Sequence, residues 1–287
     1  MRRAAVFAHY SNTNEIEDYV VYYLKNLKNF VETLVFVSDS SIKEEELSKI
    51  TPYVNHIIAE PHGEYDFGSY KKGYFYLKEN GILNSTDELI FANDSCYAPL
   101  FPLGEMFDAM KKNGADFWGN TQNYTEKITH KNLEHLQSYF LAFKKNVFSS
   151  NVFDDFITNI SKEEKKGIII EKYEIGLTLA LQKAGYKYDS YCNTSKIRNN
   201  THSHSYSSLV LNDRSPFLKR GLLLLKPKDF PYPLFIKNLI KKTEYDFELI
   251  EKDIRKNRTK LPILQKSCFF LTSLIRTIKW RVKKLFE

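Results

Sequence analysis

Cysteine is scarce in this 287-residue chain: there are three, Cys96, Cys192 and Cys268, far apart and in no C-x-x-C pair. So odd and scattered a set argues against a disulfide framework or a zinc knuckle and fits a reducing cytoplasm. Long apolar runs are missing too. The amino terminus, MRRAAVFAHYS, falls short of the roughly 7–15 apolar residues at the heart of a signal peptide, so export by that route is not expected. The longest uncharged stretch near the other end, Ser267–Ile275, is about half of the ~20 residues needed to cross a bilayer. Internal repeats, low-complexity tracts, RNP-type aromatic motifs and zinc-finger spacings are absent, so nucleic acid is not the expected partner.

Acidic residues are outnumbered, 35 against 42 Lys and Arg, for a net charge of +7. The excess lies mostly after Pro227, in KNLIKKTEYDFELIEKDIRKNRTK and SLIRTIKWRVKKLFE. Lys237–Lys256 reads as a charged surface helix. Leu261–Phe286 places Leu264, Cys268, Leu271, Ile275, Ile278, Val282 and Leu285 at steps of four and three, one apolar stripe among basic residues. Such a stripe can lie in an anionic membrane interface or dock on its own domain or a twin subunit. Both readings stay open.

The hydrophobic content of 43% is ample for a sizeable core. Strands are predicted at Ala4–Ala8, Thr33–Val37, Val54–Ala59, Glu88–Ala92 and Ala115–Gly119. Helices are predicted after Ile16, near Lys43–Lys49, around Ser69–Glu79 and at Gly104–Lys112. This alternation predicts a mainly parallel α/β sheet with helices on both faces. Further on, HLQSYFLAFKKNVF reads as a strand and turn, Asn151–Ile160 and Glu171–Lys183 as helices, and Tyr186–Tyr191 as a strand. Residues 1–225 are expected to form one domain and 226–287 a helical extension.

In an open α/β sheet, ligands bind beyond the carboxyl ends of the strands. Four such places are polar here: His9-Tyr10-Ser11, Ser38-Asp39-Ser40, HGEYDFGS from His62 to Ser69, and Asn93-Asp94-Ser95. Each is also ordinary turn chemistry; their recurrence along one edge is the informative part. Asp94 stands out, since an apolar strand delivers it to the edge and Pro99 and Pro102 forbid an immediate helix.

The segments YDFGSYKKGYFYL, LIFANDSCYAPLFPL, ADFWGNT, HLQSYFLAFKK, FSSNVFDDF and RSPFLKRGLL, in that order, resemble the rhamnan synthesis protein F family of bacterial polysaccharide glycosyltransferases. The resemblance covers roughly Ala4 to Leu225. It implies a GT-A-like fold, a nucleotide-sugar donor such as dTDP-L-rhamnose, and a growing or lipid-linked surface glycan as acceptor, with the chain working on the cytoplasmic side of a membrane. It also implies that Asn93-Asp94-Ser95 stands where GT-A enzymes carry a D-x-D metal motif, though one carboxylate is present where that pattern has two. The diphosphate leaving group then needs Mg²⁺ or Mn²⁺, held by Asp94 with His202 or His204, or else cations drawn from Lys71, Lys72, Arg198, Lys219 and Arg220.

By the same likeness, donor contacts are expected from His9, Asp39, Asp66, Gly68, Ser69, Lys72, Asn93, Asp94 and Ser95. Asp39 would read the base, and Gly68 and Ser69 would open a helix toward phosphate; caps and turns are the competing roles. Glu174, with Glu171 as its rival and Asp116 behind them, is expected to take the acceptor proton in an inverting transfer. Trp118, Asn120, Thr121, His135 and Gln137 are candidates for acceptor recognition, against a default of core packing.

Overall fold

The computed structural model describes residues 1–125, 133–192, 194, 212–224 and 240–258. Ten strands are found among them: β1 Arg3–His9, β2 Thr33–Ser38, β3 His56–Ala59, β4 Glu88–Asn93, β5 Cys96–Tyr97, β6 Phe117–Thr125, β7 Leu133–Leu136, β8 Phe140–Lys144, β9 Tyr188–Cys192 and β10 Leu218–Lys219. The helices are α1 Asp18–Lys28, α2 Glu44–Leu47, α3 Tyr65–Glu79, α4 Leu103–Asn113, α5 Lys145–Phe148, α6 Asn151–Thr158, α7 Lys166–Ile169, α8 Gly176–Lys183, α9 Arg220–Leu224 and α10 Phe247–Arg258. Between α7 and α8, Ile170–Ile175 form a π-helical turn.

Eight strands make one sheet in the order β3-β2-β1-β4-β8-β6, with β7 and β9 both pairing with β6. The run from β3 to β4 is parallel, as is β6 with β9; β8 is antiparallel to both of its neighbours. The carboxyl ends of β1, β2, β3, β4 and β6 therefore share one edge. The mixed α/β class and the mainly parallel sheet are those expected from the sequence.

Burial on both faces explains the unbroken apolar runs, because successive side chains point to opposite sides. Ala5 and Phe7 of β1 pack on one side with Tyr23 and Leu24 of α1 and Met106 of α4. Ala4, Val6 and Ala8 pack on the other with Tyr70 and Tyr74 of α3 and Phe153 of α6. Gly73 lets α3 lie close on β1: a Cβ there would stand 2.3 Å from Val6 Cγ1.

The start of α3 and the setting of the late charged helix differ from expectation. α3 starts at Tyr65, not near Ser69, so Asp66, Gly68 and Ser69 occupy its first turns. Tyr65 itself adopts a left-handed φ of 57°, which costs a side-chain-bearing residue ~1 kcal/mol. The late charged helix is also more than a surface element: in α10, Ile250 and Ile254 are buried in the core that α1 covers, as is Tyr245 just before it. No helix among the described residues is long and apolar enough to cross a membrane.

Candidate functional site at the sheet edge

β4 is buried along its whole length and delivers Asp94 to the edge, where its side chain is 14% exposed. Asp94 Oδ2 accepts the Tyr10 N–H at 3.0 Å, and its main-chain oxygen accepts the Tyr19 hydroxyl at 3.0 Å. Burial raises the pKa of the carboxyl, against the pull of His9, the Tyr10 amide and Arg220. Asn93 Oδ1 accepts both the N–H and the hydroxyl of Ser95, at 3.1 and 2.6 Å, while Asn93 Nδ2 donates to Asp66 Oδ2 at 2.9 Å. Asn93, Asp94, Ser95 and Asp66 thus meet, although 27 residues separate Asp66 from Asn93.

Short antiparallel pairing of β5 with β10 then brings a distant cation to this turn. Lys219 stands opposite Cys96, its Nζ donating to Ser95 Oγ at 3.1 Å and lying 4.4 Å from the centre of the Tyr139 ring. The Arg220 N–H donates to the Ser95 carbonyl at 2.9 Å. Arg220 forms a bidentate pair with Asp253 of α10, whereas Lys219 has no ion pair among the described residues. Among the described residues, then, Lys219 is a cation without an acidic partner, bonded to Ser95, which follows Asp94 in the chain.

His9 lies beneath this edge. Its side chain is fully buried, its Nδ1 is 2.9 Å from Ser38 Oγ, and its Nε2 stands 3.9 Å from Glu17 Oε2 and 4.0 Å from Asp94 Oδ2. A ring so enclosed supports Asp94 from below and cannot itself meet a nucleotide, which corrects the expected contact. Burial disfavours the charge on Glu17, but His9, Lys256 and Arg220 outweigh it and hold the carboxyl at about 2.

At the ends of β2 and β3, Asp39 Oδ1 accepts the main-chain N–H groups of His62 and Gly63, at 2.6 and 2.9 Å. The His62 ring takes the Glu64 N–H at Nδ1 and lies 3.0 Å from Ser69 Oγ through Nε2. Gly68 and Ser69 are buried under this turn; a Cβ on Gly68 would come within 2.2 Å of Glu64 Cβ. The small residue accommodates the chain's own loop, so Gly68 and Ser69 are packing residues and not phosphate contacts. Lys72 pairs on the surface with Glu60, and Lys71 donates to the Ile160 carbonyl.

Glu174 projects from the π-helical turn, a feature often found at functional positions. Its Oε2 accepts the N–H and the hydroxyl of Ser138, and its Oε1 lies 3.6 Å from His135 Nε2. Burial works against the charge, but His135 and Ser138 hold the carboxyl at about 2. The next residue, Tyr139, accepts the Asn93 N–H on its carbonyl, which ties Glu174 to the Asp94 edge. Glu171 is exposed. Asp116 sits at the opposite edge, where β6 begins, accepting from Lys187 N and Asn146 Nδ2.

The expected acceptor residues lie inside the protein. Trp118 is 1% exposed, packs against Phe107 and Phe140, and donates to Glu88 at the far end of β4, so its ring offers no face to a sugar. Asn120, Thr121, His135 and Gln137 are also buried. Asn120 donates to Tyr139 Oη and Ser215 Oγ, and Thr121 bonds to Gln137 and Tyr139, forming a polar layer under the edge. Exposed aromatic surface is supplied instead by Tyr10, 60% exposed after β1, and Tyr65, 43% exposed at the start of α3.

The described residues do not by themselves make a divalent-cation site: among them no three His, Cys, Asp or Glu side chains are grouped to hold an ion. His202, His204 and Arg198 lie outside the described residues. Two cavities of about 260 and 340 Å³ sit on other parts of the surface, one beside α1 and α4 and the other between α3 and α6.

Glu17, Tyr19, Ser138 and Asp253 were not found from the sequence, because each reaches the edge through the fold and not through a local pattern. Lys219 and Arg220 did carry a signal, as part of RSPFLKRGLL.

Among known proteins, the chain is 29% identical over 157 residues to the uncharacterized protein y4gN of Sinorhizobium fredii, covering 55% of this chain and 40% of that one. It is 25% identical over 181 residues to the virulence protein VirA of Vibrio anguillarum, covering 61% and 55%. The chain thus spans about half the length of these curated relatives. Among solved structures, core-mannan synthase A of Aspergillus fumigatus in its Mn/GDP form superimposes with a TM-score of 0.38 at 10% identity, over 63% of this chain and 70% of that one. The family profile described as rhamnan synthesis protein F matches residues 34–278, and the chain belongs to that family.

Proposed function

We propose that this chain is a glycosyltransferase that moves a sugar from a nucleoside diphosphate donor, L-rhamnose from dTDP-L-rhamnose in the first instance, onto a growing or lipid-linked polysaccharide. Membership of the rhamnan synthesis protein F family supports the reaction class. The observation that carries it to a site is the convergence of Asp94, Ser95 and Lys219, through the β5–β10 pair, at the edge where open α/β sheets bind their ligands.

When the bond between sugar and diphosphate breaks, negative charge grows on the leaving group, and a preorganised cation in a partly dry site is the strongest means of stabilising it. Lys219, bonded to Ser95 at the sheet edge, would do that work. Asp94 would orient a donor hydroxyl or help to hold a divalent ion, which when bound would share in neutralising the diphosphate. Tyr10 and Tyr65 offer flat faces to a base or a sugar ring. Glu174 accepts two hydrogen bonds from Ser138 and faces His135, and these neighbours favour its ionised form. Its part is to anchor residues 135–139 against the site. Inversion is the outcome that the family likeness implies.

A second reading, an inactive glycan-binding subunit, is favoured by the absence, among the described residues, of any group of three His, Cys, Asp or Glu side chains able to hold an ion. Incubation with dTDP-L-rhamnose and other nucleotide sugars separates the two. Release of nucleoside diphosphate that falls about 100-fold or more in Asp94→Asn, with a melting temperature within a few degrees of the parent, supports the enzyme. Unchanged release by Asp94→Asn would refute this site.

A further inference from the structure

Asp253 is a carboxylate with almost no access to water, 3% exposed, on a helix that the sequence marks as a charged surface element. Its Oδ2 accepts Arg220 Nε at 2.7 Å and the Tyr97 hydroxyl at 2.6 Å; its Oδ1 accepts Arg220 Nη2 at 2.8 Å and Asn257 Nδ2 at 2.9 Å. α10 has other attachments, since Ile250 and Ile254 are buried, Lys256 pairs with Glu15 and Glu17, and Lys252 pairs with Asp18. A buried ion pair adds little stability over apolar packing of the same volume. What this one does is hold a guanidinium in a fixed place.

That place is the sheet edge. The Arg220 N–H is bonded to Ser95, next to Asp94, and the guanidinium lies 5.3 Å from the Tyr19 ring, whose hydroxyl donates to the Asp94 carbonyl. Arg220 gives Nε and Nη2 to Asp253; its Nη1 has no protein partner among the described residues, and the side chain is 23% exposed. One end of the planar fork is clamped while the other is available to an anionic oxygen.

We propose that Asp253 is a positioning residue of the donor site, fixing Arg220 so that its remaining N–H group joins Lys219 in binding the donor's diphosphate, with α10 as a wall of that site. This rests on the nucleotide-sugar reading. Asp253 touches no substrate; it acts through Arg220.

Titration calorimetry of the full chain with inorganic pyrophosphate and with dTDP tests it. The parent protein binds both. Arg220→Gln and Asp253→Asn each weaken binding about 10-fold, and Arg220→Lys, which keeps the charge but loses the fork, falls with them. The double variant R220Q/D253N binds no more weakly than Arg220→Gln alone, because the two residues act as one unit. Should Asp253→Asn fail to fold, Tyr97→Phe removes one of the four donors and leaves the ion pair; a loss of about 2-fold to 3-fold is expected from it. Parental affinity in Asp253→Asn or, where that variant does not fold, in Tyr97→Phe, or full additivity in the double variant, overturns the proposal. A parent that binds neither probe overturns the nucleotide-sugar reading itself.

Discussion

Glu174 shows how the fold sets the chemistry of a side chain. Its helix-start context is legible in the sequence, but its two hydrogen bonds to Ser138 and its neighbour His135 are products of the fold, and they make it a strong acid. Because its folded pKa is depressed from the usual 4.5 to about 2, the ionised form stabilises the fold above pH 4.5, and that contribution is lost as pH falls toward 2. At ~1.4 kcal/mol per unit, the effect is on the order of 3 kcal/mol. Glu174→Gln is therefore expected to lower the urea midpoint at pH 7 and to flatten its decline below pH 4.5. Glu17 accounts for the slope that remains, being held at about 2 by its own neighbours. A midpoint unchanged at neutral pH, with turnover abolished, would return Glu174 to the role of base. Trp118 and His9 are the complementary case: residue type suggested contact with ligand, and burial, which no single sequence displays, gives them interior work.

The elements were legible in proportion to their length and apolar periodicity. β1, β2 and β4 are continuous apolar runs because both faces of the sheet are covered, and α1 buries the Tyr19, Val20, Tyr23, Leu24 and Leu27 stripe that its spacing predicts. The start of α3 was misplaced because Asp66 and Gly68 read as turn residues, whereas Gly68 is small to clear the 62–64 loop. β5 and β10, two residues each, have no sequence period at all, yet they bring Lys219 to the site. The close seat of α3 on β1 gives a test at this scale. In Gly73→Ala the new methyl meets Val6 at 2.3 Å, and overpacking of this kind costs about 1–3 kcal/mol. Chemical denaturation should show that loss; a stability equal to the parent's would mean that the helix can slide off the strand freely.

At the scale of the molecule, composition and alternation pointed to a mainly parallel α/β sheet, and that layout is observed; the proposed ligand edge lies at the carboxyl ends of its parallel strands. The boundary expected after residue 225 is less clean: α10, beyond it, packs on α1 and binds Arg220 through Asp253. A single sequence carries no mark of that contact, since Arg220 and Asp253 lie 33 residues apart. Leu261–Phe286, the basic stripe, lies outside the described residues, and its membrane role is a proposal resting on its spacing. Deleting Leu261–Glu287 should move the protein from anionic vesicles to the supernatant in a flotation assay, whereas unchanged flotation would assign the stripe to docking. The central claim is that a nucleoside diphosphate binds at the rim formed by Asp94, Ser95 and Lys219. A crystal soaked with dTDP and Mn²⁺ tests it most directly: the account predicts the diphosphate within hydrogen-bond reach of Lys219 Nζ, and a nucleotide seated on any other face of the sheet would contradict it.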